Sequence, residues 1–258
     1  MYNLIKMKLK TYTEAENPDH SDIYFFDIKK TNQKLYYFGA NHSYSPKNEQ
    51  YTLLREKWDI FMKENNTKKI VMVEGSIRPT QGLDPQESII RGAEAGLLSM
   101  LAQKHNLKIT SPELLDGEEW RCLVDKFGTK QSAYYYFSRV AAQWFNMTEK
   151  PSFEKYMTDY CQEDYELVSN EDFKFTYENI QKLHRELFDK KFDPTDEQHF
   201  SDQARPSRNK VAKYCSNLRD KNIVKTIMEY WNKSYSIFIA YGSSHAYVQE
   251  DFLREELR

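Results

Sequence analysis

Two strand-length apolar runs, one near each end of the chain, finish in the same four-residue pattern. Lys34-Leu-Tyr-Tyr-Phe-Gly-Ala-Asn-His42 and Ser236-Ile-Phe-Ile-Ala-Tyr-Gly-Ser-Ser-His245 both run to a glycine and then deliver a histidine. A strand without polar alternation has to be covered on both faces, as in a sheet sandwiched by helices. Gly39 and Gly242 permit close backbone approach or positive φ just before each histidine. Two further strands end in carboxylates: Ile70-Val-Met-Val73 leads into Glu74-Gly75, and Leu107-Lys-Ile-Thr-Ser-Pro-Glu113 ends in Glu113. Ligands of open α/β sheets bind beyond the carboxyl ends of the parallel strands. His42, Glu74, Glu113 and His245 are therefore expected to share one polar cleft.

The rest of the chain fits around those strands. Ile23-Tyr-Phe-Phe-Asp-Ile28 and Leu35-Tyr-Tyr-Phe38 predict a β-hairpin with Thr31, Asn32 and Gln33 in the turn. Tyr51, Leu54, Trp58, Phe61 and Met62 recur at helical spacing within 47–65. That helix followed by the strand at Ile70 suggests a right-handed βαβ unit. A helical region from Asp84 to His105 includes the small-residue stretch Gly92–Ala102, suited to close packing on a sheet. From about 117 to 205 the reading is helical, with helices at about 152–168 and 172–189 and a polar loop from Lys190 to Arg208. A helix over about 208–231 then restores the α/β pattern before the last strand. The expectation is a single α/β domain over 1–258, its mixed and largely parallel central sheet flanked by helices, with a helical insertion or cap at about 117–205.

Composition excludes several classes. Net charge is −2, without the basic footprint of a nucleic-acid binder. No segment reaches the roughly 20 apolar residues that span a bilayer. The first ten residues carry lysines among their apolar ones and lack the apolar core of a secretory signal. A cytoplasmic protein acting on a small-molecule or peptide substrate is expected. Cys122, Cys161 and Cys215 are odd in number and widely spaced, which predicts reduced core thiols rather than a disulfide framework. The 19 tyrosines and 15 phenylalanines suit a core under amphipathic helices, or a polar groove.

Imidazole and carboxylate are ordinary ligands of zinc-like metals, and a catalytic site keeps a position open for water. His42, Glu74 and His245 would supply such a set, with Glu113 orienting a ligand or acting as general base. A Gly-x-x-His is equally the spelling of an ordinary turn with a satisfied histidine. Glu74 could be a solvated strand end and Glu113 a helix cap. Of the other histidines, His20 and His105 fall at polar turns or helix ends and read as solvent-facing, and His199 as part of a surface loop.

The motif order adds to this. Gly39-Ala-Asn-His42, Val73-Glu-Gly75, Ser111-Pro-Glu113, Arg219-Asp-Lys-Asn222 and Gly242-Ser-Ser-His245 follow one another as in the TraB/Tiki superfamily, which this chain resembles over about 23–113 and 208–250. That group is similar in fold to the erythromycin esterases and to ChaN-like haem-binding proteins. The resemblance implies a metal-dependent hydrolase of peptide or ester bonds, with a divalent ion (Mn, Co, Zn or Fe) at His42, His245 and Glu74. Glu74 or Glu113 would take a proton, and Arg219 would stabilise the developing oxyanion. Two alternatives go with it: a metal-independent esterase-like hydrolase with His42 as general base, and a non-catalytic haem or small-ligand binder. Ala40-Asn41 stands where family members commonly have a threonine, and Arg219-Asp220 is also what an ordinary ion pair on a helix surface looks like.

Overall fold

The computed structural model describes residues 7–15, 23–65, 68–77, 79–80, 82–147 and 150–258. His20 and part of the N-terminal stretch read for a signal lie outside them. The chain divides into two compact units, one made of 1–113 with 219–258 and the other of Leu114–Leu218.

The first unit opens with a short helix, α1 (Tyr12–Ala15), and the expected hairpin, β1 (Tyr24–Lys30) and β2 (Gln33–Ala40). The turn is tighter than expected: Gln33 pairs with Lys30, leaving Thr31 and Asn32, and Thr31 takes φ 45°. Next come α2 (Gln50–Lys63), β3 (Lys69–Val73), α3 (Pro85–Lys104) and β4 (Lys108–Thr110). Asp84 and Glu87 start α3 with a reciprocal capping box, and Pro85 occupies its first turn, where a missing N–H costs nothing. Further along, Gly92 and Ala93 leave helical geometry, with Ala93 at φ 48°, and kink the helix.

The second unit is wholly helical among the described residues. It comprises α4 (Asp116–Phe127), α5 (Thr129–Phe145), α6 (Phe153–Glu163), α7 (Tyr165–Val168), α8 (Tyr177–Phe188), α9 (Glu197–Ala204) and the start of α10 (Lys210–Asn232). The helix expected at about 152–168 is interrupted at Asp164, and that at about 172–189 begins only at Tyr177. The stretch taken for a polar loop holds α9, capped by the Asp196 side chain and anchored by fully buried Phe200. His199 is therefore helical and half-buried. Its Nε2 and the Nδ1 of buried His184 lie 2.8 and 2.6 Å from the Tyr134 hydroxyl. The one hydroxyl proton of Tyr134 can go to only one of these rings, so Tyr134 accepts from the other. Much of the aromatic content is spent here, where Phe137 packs on Phe153, Tyr177, Phe192 and Phe200. Of the cysteines, Cys161 and Cys215 are buried thiols outside any disulfide, while Cys122 is only half-buried.

From Arg219 onward α10 belongs to the first unit, which closes with β5 (Ser236–Gly242) and α11 (Ser243–Glu256). The strand order is β1-β2-β5-β3-β4, antiparallel between β1 and β2 and parallel elsewhere, so this is an α/β fold with a mixed, largely parallel sheet. β2 and β3, connected through α2, run parallel in the one sheet but are not neighbours, because the last strand lies between them. Alternation along β5 explains its unbroken apolar run. Ile237, Ile239 and Tyr241 pack with Ile223, Ile227 and Trp231 of α10, while Phe238 and Ala240 pack with Trp58 and Phe61 of α2 and Leu97 of α3. Each large side chain so buried contributes about 1.5–3 kcal/mol. Among the described residues no helix is long and apolar enough to cross a membrane.

Candidate functional site

The sheet register alone gathers the expected residues. Ala40 of β2 pairs with Gly242 of β5, and Val73 of β3 pairs with Ala240. The chain just past these ends therefore places His42, Glu74 and the first turn of α11 side by side. The Glu74 N–H still donates to the Ala240 carbonyl at 3.2 Å, extending the ladder by one bond.

Glu74 is the hub. Its Oε2 accepts from the Gly242 N–H at 2.7 Å, and its Oε1 accepts from Arg219 Nη2 at 2.9 Å. Arg219 also grips Glu113 in a bidentate pair, Nε to Oε2 at 3.0 Å and Nη2 to Oε1 at 2.9 Å. Glu113 accepts in addition from the Gly75 N–H. Asn222, one turn along α10, donates to the Pro112 carbonyl at 2.9 Å and fixes the segment that carries Glu113. Burial pushes the Glu74 carboxyl up, but His42, Arg219, His245 and the Gly242 N–H together hold it far below the usual carboxylate range. Burial likewise acts against Glu113, and Arg219 holds it below its ordinary value.

Both histidines turn Nε2 toward this hub. His42 Nε2 lies 3.5 Å from Glu74 Oε2, and His245 Nε2 lies 3.9 Å from Glu74 Oε1. Each is held from behind by a carboxylate on Nδ1, Glu94 at 2.5 Å for His42 and Asp220 at 2.7 Å for His245. Such outer partners fix ring orientation and raise the basicity of the other nitrogen. His42 itself sits at φ 52°, a left-handed conformation that histidine tolerates better than most residues. Gln50 receives the Asn41 N–H, and the Tyr51 hydroxyl donates to the Ser43 carbonyl, so both flanks of His42 are tied down. Burial opposes protonation of His42, yet Glu74 and Glu94 raise its pKa to about 9.

Asp220 is fully buried and anchors a second network. Its Oδ2 accepts from the Tyr12 hydroxyl at 2.6 Å, and its Oδ1 accepts from His245 Nδ1 and from Gln249 Nε2, each at 2.7 Å. The Tyr12 hydroxyl also lies 2.9 Å from His245 Nδ1, and with its one proton given to Asp220 it can only accept there, so Nδ1 carries a hydrogen. Tyr37 donates to Gln249 Oε1 and closes the network at the sheet. Arg219 and Asp220 thus each hold different inward partners instead of forming an ion pair with one another on the helix surface.

The two glycines serve close approach, and neither has positive φ. A Cβ on Gly242 would lie 2.7 Å from His42 Nε2, and one on Gly39 would lie 2.9 Å from the Ser243 Cα. Gly242→Ala is therefore expected to push the His42 ring off the hub. It should reduce any activity of the site by at least about tenfold while far-ultraviolet circular dichroism stays unchanged, in keeping with the 10²-fold losses of small misplacements. Wild-type activity in that variant would remove His42 from the site.

All five expected residues (His42, Glu74, Glu113, Arg219 and His245) come together. Three further members, Glu94, Asp220 and Tyr12, complete the site. It holds four carboxylates and one guanidinium, which pairs with Glu74 and Glu113, and among the described residues Glu94 Oε2 is buried without a hydrogen-bond partner. The donor set (two imidazole Nε2 atoms and Glu74) has the chemistry of a divalent-ion site. Among the described residues, however, no three His, Cys, Asp or Glu side chains already converge on a single ion position. No protein-family model matches this chain, and neither does any curated protein or solved structure at a significant level.

Proposed function

We propose that the chain is a metal-dependent hydrolase of the TraB/Tiki type, acting on a peptide or ester bond. The observation that carries this reading is the pair of carboxylate-backed histidines whose Nε2 atoms both face Glu74. A basic Nε2 and a carboxylate oxygen are both acceptors, so a donor or a cation has to lie between them. The carboxylate excess acts in the same direction: with nothing else bound it draws a proton onto His42 up to about pH 9. His42, His245 and Glu74 would hold the ion, which supplies Lewis acidity to substrate and water. Of the two acidic residues expected to take a proton, Glu113 is the better acceptor, since Glu74 is held further below its usual range. Arg219 keeps both carboxylates ionised and oriented, a positioning role alongside the oxyanion role that the family resemblance implies.

The His42–Glu94 pair favours a second reading, a metal-free hydrolase with His42 as general base. The two readings differ in pH dependence. A base of pKa about 9 is largely protonated at neutrality, so metal-free activity would climb as pH approaches 9. With an ion in place of that proton, activity is present near neutrality and metal affinity rises with pH.

Protein purified without chelator is expected to carry stoichiometric Mn, Co, Zn or Fe, and His42→Ala with His245→Ala to lose it. Turnover on ester and peptide panels should fall with the metal. Metal-free protein whose turnover survives chelation but not His42→Ala would replace this reading with the second. A haem absorbance change without any turnover would replace both with a binding role.

A further inference from the structure

We propose that the helical unit carries a binding site of its own for a small, flat aromatic carboxylate, in the cavity walled by Tyr134, Tyr135 and Phe188 and overlooked by Arg208 and Lys210. The cavity is about 450 Å³, within the ~300–1,000 Å³ of small-molecule sites. It lies entirely within residues 131–211, so it stands independently of the hydrolase reading.

The walls set the shape of the ligand. Tyr134 and Phe188 stand with ring centroids 5.1 Å apart, and Tyr134 cannot swing away because its hydroxyl is held between His184 and His199. Fixed aromatic walls favour a flat ring over a flexible chain, since stacking geometry is ready and less freedom is lost. The polar groups set the charge. Among the described residues that line the cavity none is acidic, while two are cations. Arg208 is partly engaged, its Nη1 3.0 Å from Asp202, whereas Lys210 Nζ lies 5.8 Å over the uncharged Phe127 ring and keeps its N–H donors, so Lys210 is the principal cation. Asn209 and Gln203 bond to each other at 2.6 Å, and Asn209 also caps α10 through Val211 and Ala212, which stiffens the cationic side.

Titration calorimetry on the full chain with naphthalene-2-carboxylate tests this. Saturable binding at one class of site is expected, weakened about tenfold by Lys210→Gln, by Phe188→Ala, and by offering naphthalene-2-carboxamide instead, as befits one charge-assisted contact or one wall. Octanoate should bind more weakly than the naphthoate, and His42→Ala should leave binding unchanged. Absence of saturation, equal affinity for the amide and the carboxylate, or octanoate binding as tightly would each overturn the proposal. So would binding that is lost in His42→Ala but untouched by Lys210→Gln, because the ligand would then sit in the other unit.

Discussion

Arg219→Ala is expected to destabilise the sheet unit by about 3 kcal/mol at neutral pH, the lower end of what removing one partner from a buried ion pair costs. The lower end applies because Arg219, Glu74 and Glu113 retain 19%, 19% and 22% exposure. The effect is large because two carboxylates depend on one guanidinium and would be left facing each other. Against a total stability of about 5–15 kcal/mol, such a loss is severe. It has a pH signature. Glu74 and Glu113 have depressed pKa values, so the stability they confer is full above the ordinary carboxylate value near 4.5 and is lost as pH falls below it. The gap between wild type and variant should therefore narrow on acidification. Urea unfolding across that range, with hydrogen exchange at the β5 amides as a local readout, measures it. Adding Glu113→Gln to the variant should restore part of the loss. Equal midpoints for wild type and Arg219→Ala at neutral pH would mean that the triad contributes nothing.

Glu94→Gln addresses the least exposed carboxylate that touches His42, with its side chain 3% exposed. The amide oxygen can still accept from Nδ1, so the ring stays in place while the charge is lost. The His42 pKa should fall from about 9, and activity or metal affinity should drop about 10–100-fold, as for other carboxylates behind a ligating histidine. Stability shifts in a defined direction. A histidine raised above its ordinary 6.5 stabilises fully below that value and loses the contribution as pH rises through about 9. Wild-type protein should thus weaken between those limits, and the variant should lose less, over a lower range. Nuclear magnetic resonance titration of the His42 ring gives the midpoint directly. An unchanged midpoint would deny Glu94 its part.

The residues that delimit the site were legible because they end strands. A buried strand announces itself by a continuous apolar run, and whatever follows the run must emerge at one edge of the sheet; His42, Glu74, Glu113 and His245 all satisfy that condition. Glu94, Asp220 and Tyr12 reach the site from helices, where no sequence edge marks the inward position. Glu94 did leave a trace. A lone carboxylate within Gly92-Ala-Glu-Ala-Gly96, where everything else is small, has to be buried against something, and the kink at Gly92 and Ala93 aims it. Asp220 was hidden by its neighbour, since Arg219-Asp220 spells a surface ion pair as readily as two inward groups with separate partners. The two strands joined by α2 are parallel and in one sheet, as expected of a strand–helix–strand unit, but they are not neighbours, for a related reason. The strand that separates β2 from β3 lies more than a hundred residues further on, beyond the reach of local pattern. α9 was missed because a short polar helix held by one buried phenylalanine has too little periodicity to stand out from a loop.

The placement of β5 also fixes the order in which this protein can be completed. It is the last strand to be synthesised and the middle strand of the sheet, pairing β2 on one side and β3 on the other. Until residues 236–242 emerge, the hairpin and the β3–β4 pair have no edge in common. The helical unit, complete by residue 218, has no such dependence. During synthesis it can therefore be structured first, although the sheet unit begins earlier in the chain. Pairings this distant in sequence are slow to form. For the sheet unit that is the interval of greatest exposure to proteolysis and aggregation, and insertion of β5 ends it in the same step that brings His245 to Glu74.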